Sequence, residues 1–291
     1  MLESEFSYAA PEDGFARRRA IQLIEVLTGR RHLEQLYKGY RAPPEPRPPF
    51  FSSSVESLNL KLNYSEDRLA AIPKSGPLVI VANHPYGVLD GIILCDLISR
   101  VRPDFRILAN AVLWRAEELR EHMLPIDFAE TREALKTTLS SRQKARSHLS
   151  SGGVLLVFPA GMVATSEKLI GNHLNAADRR WGPFTAQLIA RTKSPVLPVY
   201  FDGQNSLLFQ VASHIHEALR LSLLFREVRR RMGQEINMAI GNVLPFSQLC
   251  DFENGQALVD HLRETTYALK EEISPPPAVT SEDYIDEFVT A

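Results

Sequence analysis

His84 and Asp90 are the two side chains whose types and spacing best suit proton transfer. They sit in the stretch Asn83-His84-Pro85-Tyr86-Gly87-Val88-Leu89-Asp90-Gly91. An imidazole with one nitrogen held by a carboxylate keeps a single tautomer and leaves its other nitrogen free to take a proton. Asp90 falls at the expected start of a helix, where the helix dipole favours a carboxylate. From there it can fold back over the loop to the imidazole, and Gly87 gives that loop its backbone freedom. A plainer alternative stays open at this stage: Asp90 as a helix cap and His84 as a satisfied loop histidine. The Asn-His-Pro setting at a strand end favours the reacting pair.

A second feature, Phe158-Pro159-Ala160-Gly161, also follows an apolar run. Pro159 and Gly161 enforce a turn whose backbone N–H groups can point into a cleft. On its own it reads equally well as a strand-to-loop corner.

The surrounding pattern must place these two turns at one edge of a sheet. Residues 77–82 (PLVIVA) form a short apolar run bounded by turn residues, as a buried strand does. Further strands are expected at 105–109, 154–158, 195–201 and 236–240. Helices are expected at 90–101, 131–150, 183–193, 214–232 and 255–272, and a helical segment broken by Gly29 at 15–40. Strands separated by helices predict an α/β fold: a mixed, mainly parallel sheet flanked by helices, with a helical N-terminal segment. Ligands of such sheets bind beyond the carboxyl ends of the strands, where His84 stands. The expected division is a helical segment with a Pro-rich connector over 1–49, one domain over 50–273, and a loose tail over 274–291. The connector holds five prolines in residues 42–49 and cannot be helical.

Composition narrows the function classes. The 291 residues are 44% hydrophobic and 23% charged with a net charge of -2, which gives no electrostatic case for nucleic acid. Two cysteines, Cys95 and Cys250, exclude a disulfide framework and fit a reducing compartment. Residues 1–10 have no signal-peptide character, and no apolar run approaches the ~20 residues of a spanning helix, so peripheral membrane contact from the cytoplasm is expected. His214 and His216 point to different faces of a predicted helix and make a poor metal pair, so no metal is expected. The arginines at 17–19 and the cluster Arg226, Arg229, Arg230 and Arg231 are either solvated faces or contacts for a membrane or an acidic carrier protein.

Together the two motifs resemble those of the lysophospholipid acyltransferase family, which includes glycerol-phosphate and lysophosphatidate acyltransferases. The His-to-Asp spacing is one residue longer than in that branch. It is similar to the bacterial haemolysin-like and lyso-ornithine-lipid acyltransferases. The segments FPAGMVAT (158–165), PVLPVYFDGQNS (195–206) and LFREVRRRMGQEINMAIG (224–241) support that branch, and the resemblance covers about 75–246. It implies that His84 deprotonates an acceptor attacking the thioester of acyl-CoA or acyl carrier protein, with Asp90 orienting it. It implies no other cofactor. It also implies substrate contacts from Asn83, Pro85, Gly87 and Gly91, from Phe158, Pro159, Ala160 and Gly161, and from Lys168.

The glycerol-phosphate branch has an acid and a phosphate-binding arginine where this chain has Ala160 and Val163. A phosphate-bearing acceptor thus loses its anchor unless Lys168, Arg179 or Arg180 replaces it, which favours a lyso-lipid with an amino-acid or other head group. Two alternatives remain: a lipid-binding or regulatory protein without turnover, and a thioesterase or lipid hydrolase using His84 to activate water.

Overall fold

The computed structural model describes residues 14–42, 46–167, 175–215 and 217–273. The expected tail at 274–291, Lys168, His216 and part of the connector lie outside the described residues. Chain order begins with α1 (Phe15–Thr28), α2 (Arg30–Arg41), α3 (Phe50–Ser57), β1 (Lys61–Asn63), α4 (Glu66–Ala70), β2 (Leu78–Ala82) and α5 (Val88–Ser99). Next come β3 (Phe105–Asn110), β4 (Met123–Ile126), α6 (Arg132–Ser150), β5 (Val154–Val157), β6 (Thr165–Ser166), β7 (Ala176–Ala177) and α7 (Phe184–Thr192). The chain continues through β8 (Val196–Phe201), α8 (Leu207–Ile215), α9 (Glu217–Arg231), β9 (Glu235–Ile240) and α10 (Gly255–Ala268). No described helix is long and apolar enough to cross a membrane.

Seven strands form one sheet in the order β1-β9-β8-β2-β5-β3-β4. Every pairing is parallel except β8 with β9, which gives the mixed, mainly parallel sheet expected. The five residues of β2 are buried on both faces, so its side chains alternate between two cores. Leu78, Ile80 and Ala82 join the core that holds α3 and α5. Val79 and Val81 join the opposite core with Ala145 and Leu149 of α6, Ile189 of α7 and Leu262 of α10. The sheet is thus covered on both sides, and its carboxyl edge is left for the loops.

Local chemistry sets several boundaries. Gly29, at φ 110°, separates α1 from α2. Thr131 caps α6 by accepting from Ala134 N–H, and Asn254 caps α10.

Two expectations need correction. The helix expected over 214–232 is α9, and the expectation lacks the element before it, α8, which starts at Leu207. Buried Glu227 of α9 accepts from the N–H and hydroxyl of Ser206, fixing the residue at which α8 begins. β4 carries Pro125 and was absent from the periodicity. It lies at the sheet edge, where a proline is tolerated.

Candidate functional site

β2 ends at Ala82, and Asn83 turns the chain out of the sheet. Its carboxamide is spent on the backbone of Phe201 at the end of β8, donating to the carbonyl at 2.9 Å and accepting from the N–H at 2.7 Å. Asn83 therefore ties two strand ends together, and both of its polar atoms are engaged. His84 follows, with its side chain 18% exposed.

Asp90 is fully buried at the third position of α5, and its Oδ2 accepts from Tyr86 N–H at 2.9 Å and Gly87 N–H at 3.0 Å. The same oxygen lies 3.0 Å from His84 Nδ1. Cap and imidazole neighbour are therefore one oxygen. The Nδ1 contact is an ion-pair distance rather than a well-aligned hydrogen bond. Burial pushes the Asp90 carboxyl above its ordinary range, while the imidazole and the two N–H groups pull it back. Gly87 stands at φ 73°, and a β-carbon there would come within 3.1 Å of Leu224 and Val163. Pro85 is buried in the same turn. Gly91 lies inside α5, facing Ile107.

The second motif meets the first. Phe158 stacks on the His84 ring with centroids 4.1 Å apart at 25°. The His84 carbonyl accepts from Ala164 N–H at 2.8 Å. Gly161, at φ 69°, donates its own N–H to Phe158 O at 3.0 Å, and Pro159 O accepts from Gly182 N–H at 3.1 Å. The N–H of Gly161 thus closes the turn instead of facing the cleft. Ala160 packs against the core beneath.

Three further residues complete the site: Asp178, Trp181 and Tyr86. Asp178, 4% exposed, accepts from His84 N–H through Oδ1 at 3.1 Å and from Trp181 Nε1–H through Oδ2 at 2.8 Å. Burial raises its carboxyl to about 6. Tyr86 donates its hydroxyl to Asp202 O at 2.5 Å and lies under the Arg231 guanidinium at 4.4 Å. The one sign the sequence carries for Asp178 is its place three residues before Trp181. His84 is thus held through its side chain by Asp90, through its N–H by Asp178 and through its carbonyl by Ala164. Among the described residues, its Nε2 keeps no hydrogen-bond partner, and the arrangement can take up a proton there.

The candidate cations separate. Arg180 pairs with Asp260 at 2.9 Å, whereas Arg179 is exposed and reaches Met162 Sδ, over the second motif, at 3.7 Å. The expected basic docking cluster is partly consumed by the fold. Arg226 pairs with Glu227, Arg229 lies across Gly29, and Arg231 donates to Gln204 O at 2.7 Å. Among the described residues, no group of three or more His, Cys, Asp or Glu could hold a metal ion.

Comparison with known proteins is consistent in kind. The family model described as acyltransferase matches residues 36–275. The lyso-glycine lipid O-acyltransferase of Phocaeicola vulgatus is 23% identical over 230 residues, 76% of this chain and 77% of that protein. The protein of the same name from Bacteroides thetaiotaomicron is 21% identical over 227 residues, 76% of this chain and 79% of that protein. The crystal structure of the 1-acyl-sn-glycerophosphate acyltransferase of Thermotoga maritima superposes with a TM-score of 0.49 at 16% identity, over 91% of this chain and 85% of that one.

Proposed function

From the premise that this chain belongs to the acyltransferase family, we propose that it moves a fatty acyl group from a thioester onto the hydroxyl of a lyso-lipid with an amino-acid head group. The observation that carries the mechanism is the 3.0 Å contact of His84 Nδ1 with buried Asp90, which leaves Nε2 as the proton acceptor. The acceptor hydroxyl loses its proton to Nε2 as its oxygen attacks the thioester carbonyl. Asp90 holds the tautomer and stabilises the imidazolium that forms. Collapse of the tetrahedral intermediate expels the thiolate, which takes the proton back from His84. The ester and the free thiol leave, and no covalent enzyme intermediate is needed.

The head-group assignment rests on two supports. Ala160 and Val163 offer no charge where a phosphate would be bound, and of the cations that could replace it Arg180 is taken up by Asp260. The two curated relatives, though distant, are both named for a lyso-glycine lipid. The donor is acyl-CoA or acyl carrier protein, and the protein works at the cytosolic face of a membrane.

The test is thiol release from long-chain acyl-CoA and acyl carrier protein, with and without lyso-glycine lipid, lyso-ornithine lipid and lysophosphatidate. Release that needs an amino-acid lyso-lipid and disappears in His84→Ala supports the reading. Release without acceptor identifies a hydrolase, and a preference for lysophosphatidate overturns the head-group assignment. The His84→Ala variant should fold normally and lose at least about a hundredfold in kcat/KM.

A further inference from the structure

Asn205 lies at the end of the segment 195–206 that resembles the family, and the proposed chemistry does not use it. It is 2% exposed, and neither its Nδ2 nor its Oδ1 has a hydrogen-bond partner. Elsewhere among the described residues such buried atoms occur singly. Each is one guanidinium nitrogen of an arginine otherwise engaged, or else His84 Nδ1 or Asp90 Oδ1 of the candidate site. Asn205 is thus the one amide among them with donor and acceptor both idle. Folded chains rarely leave buried polar atoms unmet, because each has given up water without a replacement.

The surroundings of Asn205 are bound to His84 from two sides. Gln204 Oε1 accepts from Ala176 N–H at 2.7 Å, two residues before Asp178, which holds the His84 N–H. Gln210 Oε1 accepts from Ser166 N–H at 2.8 Å, two residues after Ala164, which holds the His84 carbonyl. Gln210 Nε2 in turn donates to the Asn205 carbonyl at 3.4 Å. The side chains of Gln204, Ser206 and Gln210 are all spent on this frame, Ser206 on Glu227. Gly203 and Leu207, two residues to either side, are exposed, so Asn205 lies one layer beneath solvent.

We infer that the Asn205 carboxamide binds the acceptor, pairing with the amide N–H and the carboxyl oxygen of an N-acyl α-amino acid. This rests on the amino-acid lyso-lipid reading above and narrows it. An amino acid joined through its nitrogen to a hydroxylated fatty chain carries an amide N–H. In an extended α-amino acid that N–H and the carboxyl oxygen lie on one side, as they do where antiparallel strands exchange paired bonds. A carboxamide presents an acceptor and a donor side by side to match. Oδ1 accepts from the amide N–H, and Nδ2–H donates to the carboxylate in a charge-assisted bond. Lysophosphatidate has no N–H to offer, and it would leave Oδ1 unmet in a site closed to water. A β-amino acid, longer by one methylene, sets the two groups out of step.

The experiment compares kcat/KM of the full chain for N-(hydroxyacyl)glycine, its N-methyl analogue, the corresponding glycolate ester and the β-alanine amide. Wild type should favour the glycine amide over each of the others by about tenfold or more. Asn205→Leu, similar in volume but apolar, should erase that preference, with most of its loss falling on the glycine amide. Because the carboxamide supports no other group of the fold, the variant should melt at or above the wild-type temperature. Asn205→Ala should behave alike in selectivity and guards against a packing effect of the leucine.

Wild type that treats these acceptors alike overturns the inference, as do variants whose losses are equal on all of them. A lower melting temperature with unchanged preference makes Asn205 a water-bridged structural residue and overturns it as well. Equilibrium dialysis of N-(hydroxyacyl)glycine below its micelle concentration needs no turnover. Asn205-dependent binding without acyl transfer would therefore defeat the proposed reaction and leave this contact standing, whereas transfer to the glycine amide without dependence on Asn205 does the reverse.

Discussion

Asp90 Oδ2 serves three groups at once: the N–H of Tyr86, the N–H of Gly87 and the His84 ring. Asp90→Asn keeps a carbonyl oxygen for this work but removes the charge that stabilises an imidazolium. The expected result is a fall in kcat of about a hundredfold or more with KM little changed, measured by steady-state thiol release. Equal kinetics would reduce Asp90 to a helix cap. Asp178 acts on the same histidine from the main-chain side, and its titration gives a second test. Its folded carboxyl is raised by burial from 3.8 to about 6, so between these values the folded state binds the proton more tightly than the unfolded chain. Stability contributed by this group is therefore fullest at low pH, declines as pH rises from about 4 to about 6, and stays lower above, by about 3 kcal/mol at most. Asp178→Asn should abolish that decline. Urea titrations at several pH values check it, and parallel slopes in both proteins would refute the assignment.

At the scale of elements, the first loop is fastened to the end of β8 as firmly as to its own strand. Gly203 makes this possible: it stands at φ 114°, and a β-carbon there would fall 1.8 Å from the Tyr86 hydroxyl. Gly203→Ala should displace Tyr86 from Asp202 O, lower the melting temperature by the equivalent of about 1–3 kcal/mol, and depress kcat more than KM. Thermal melts and kinetics on the same preparation separate the two effects. The loop's partners also show what the sequence could reveal. His84 and Asp90 were legible because both belong to the turn and helix start that follow one short apolar strand, whereas Phe158 was legible only as part of the second motif and its stacking on His84 was not. The parallel order of β2, β5 and β8 was legible in kind, because helices alternate with strands. The contacts of Asp178 and Tyr86 were not, because their partners lie far away in sequence: His84 for Asp178, and Asp202 for Tyr86. β4 was hidden by its proline, and the start of α8 depends on Glu227 in another helix. Asn83 was legible as part of the motif, but its hold on Phe201 was not.

Across the whole molecule, the two edges of the sheet divide their duties. The carboxyl edge holds the site, and the amino edge is locked by Arg102, which is 2% exposed. Its guanidinium donates to the carbonyls of Pro73, Gly76 and Gly152 and forms a bidentate pair with Asp104. These residues precede β2, β5 and β3, so one side chain gathers three strand openings. Arg102→Leu would strand buried carbonyls and should cost about 3 kcal/mol, a drop of roughly 5–10 °C in Tm. Differential scanning calorimetry measures the loss, and kcat/KM at a permissive temperature should stay at the wild-type value because the chemistry lies at the opposite edge.

The sheet also ends in a way that bears on self-association. A bare outer strand is a template for cross-strand polymerisation between copies, and this risk rises for a chain that carries apolar side chains on its surface. On one flank β1 is only three residues long. On the other, β4 presents Pro125, which has no N–H to offer a passing strand. Pro125→Val would restore that donor in a sequence already suited to a strand. Light scattering at rising protein concentration should then show fibrous or amorphous aggregate where the wild type stays dispersed. The proline that concealed β4 from its neighbours in the sequence also conceals it from other copies of the chain.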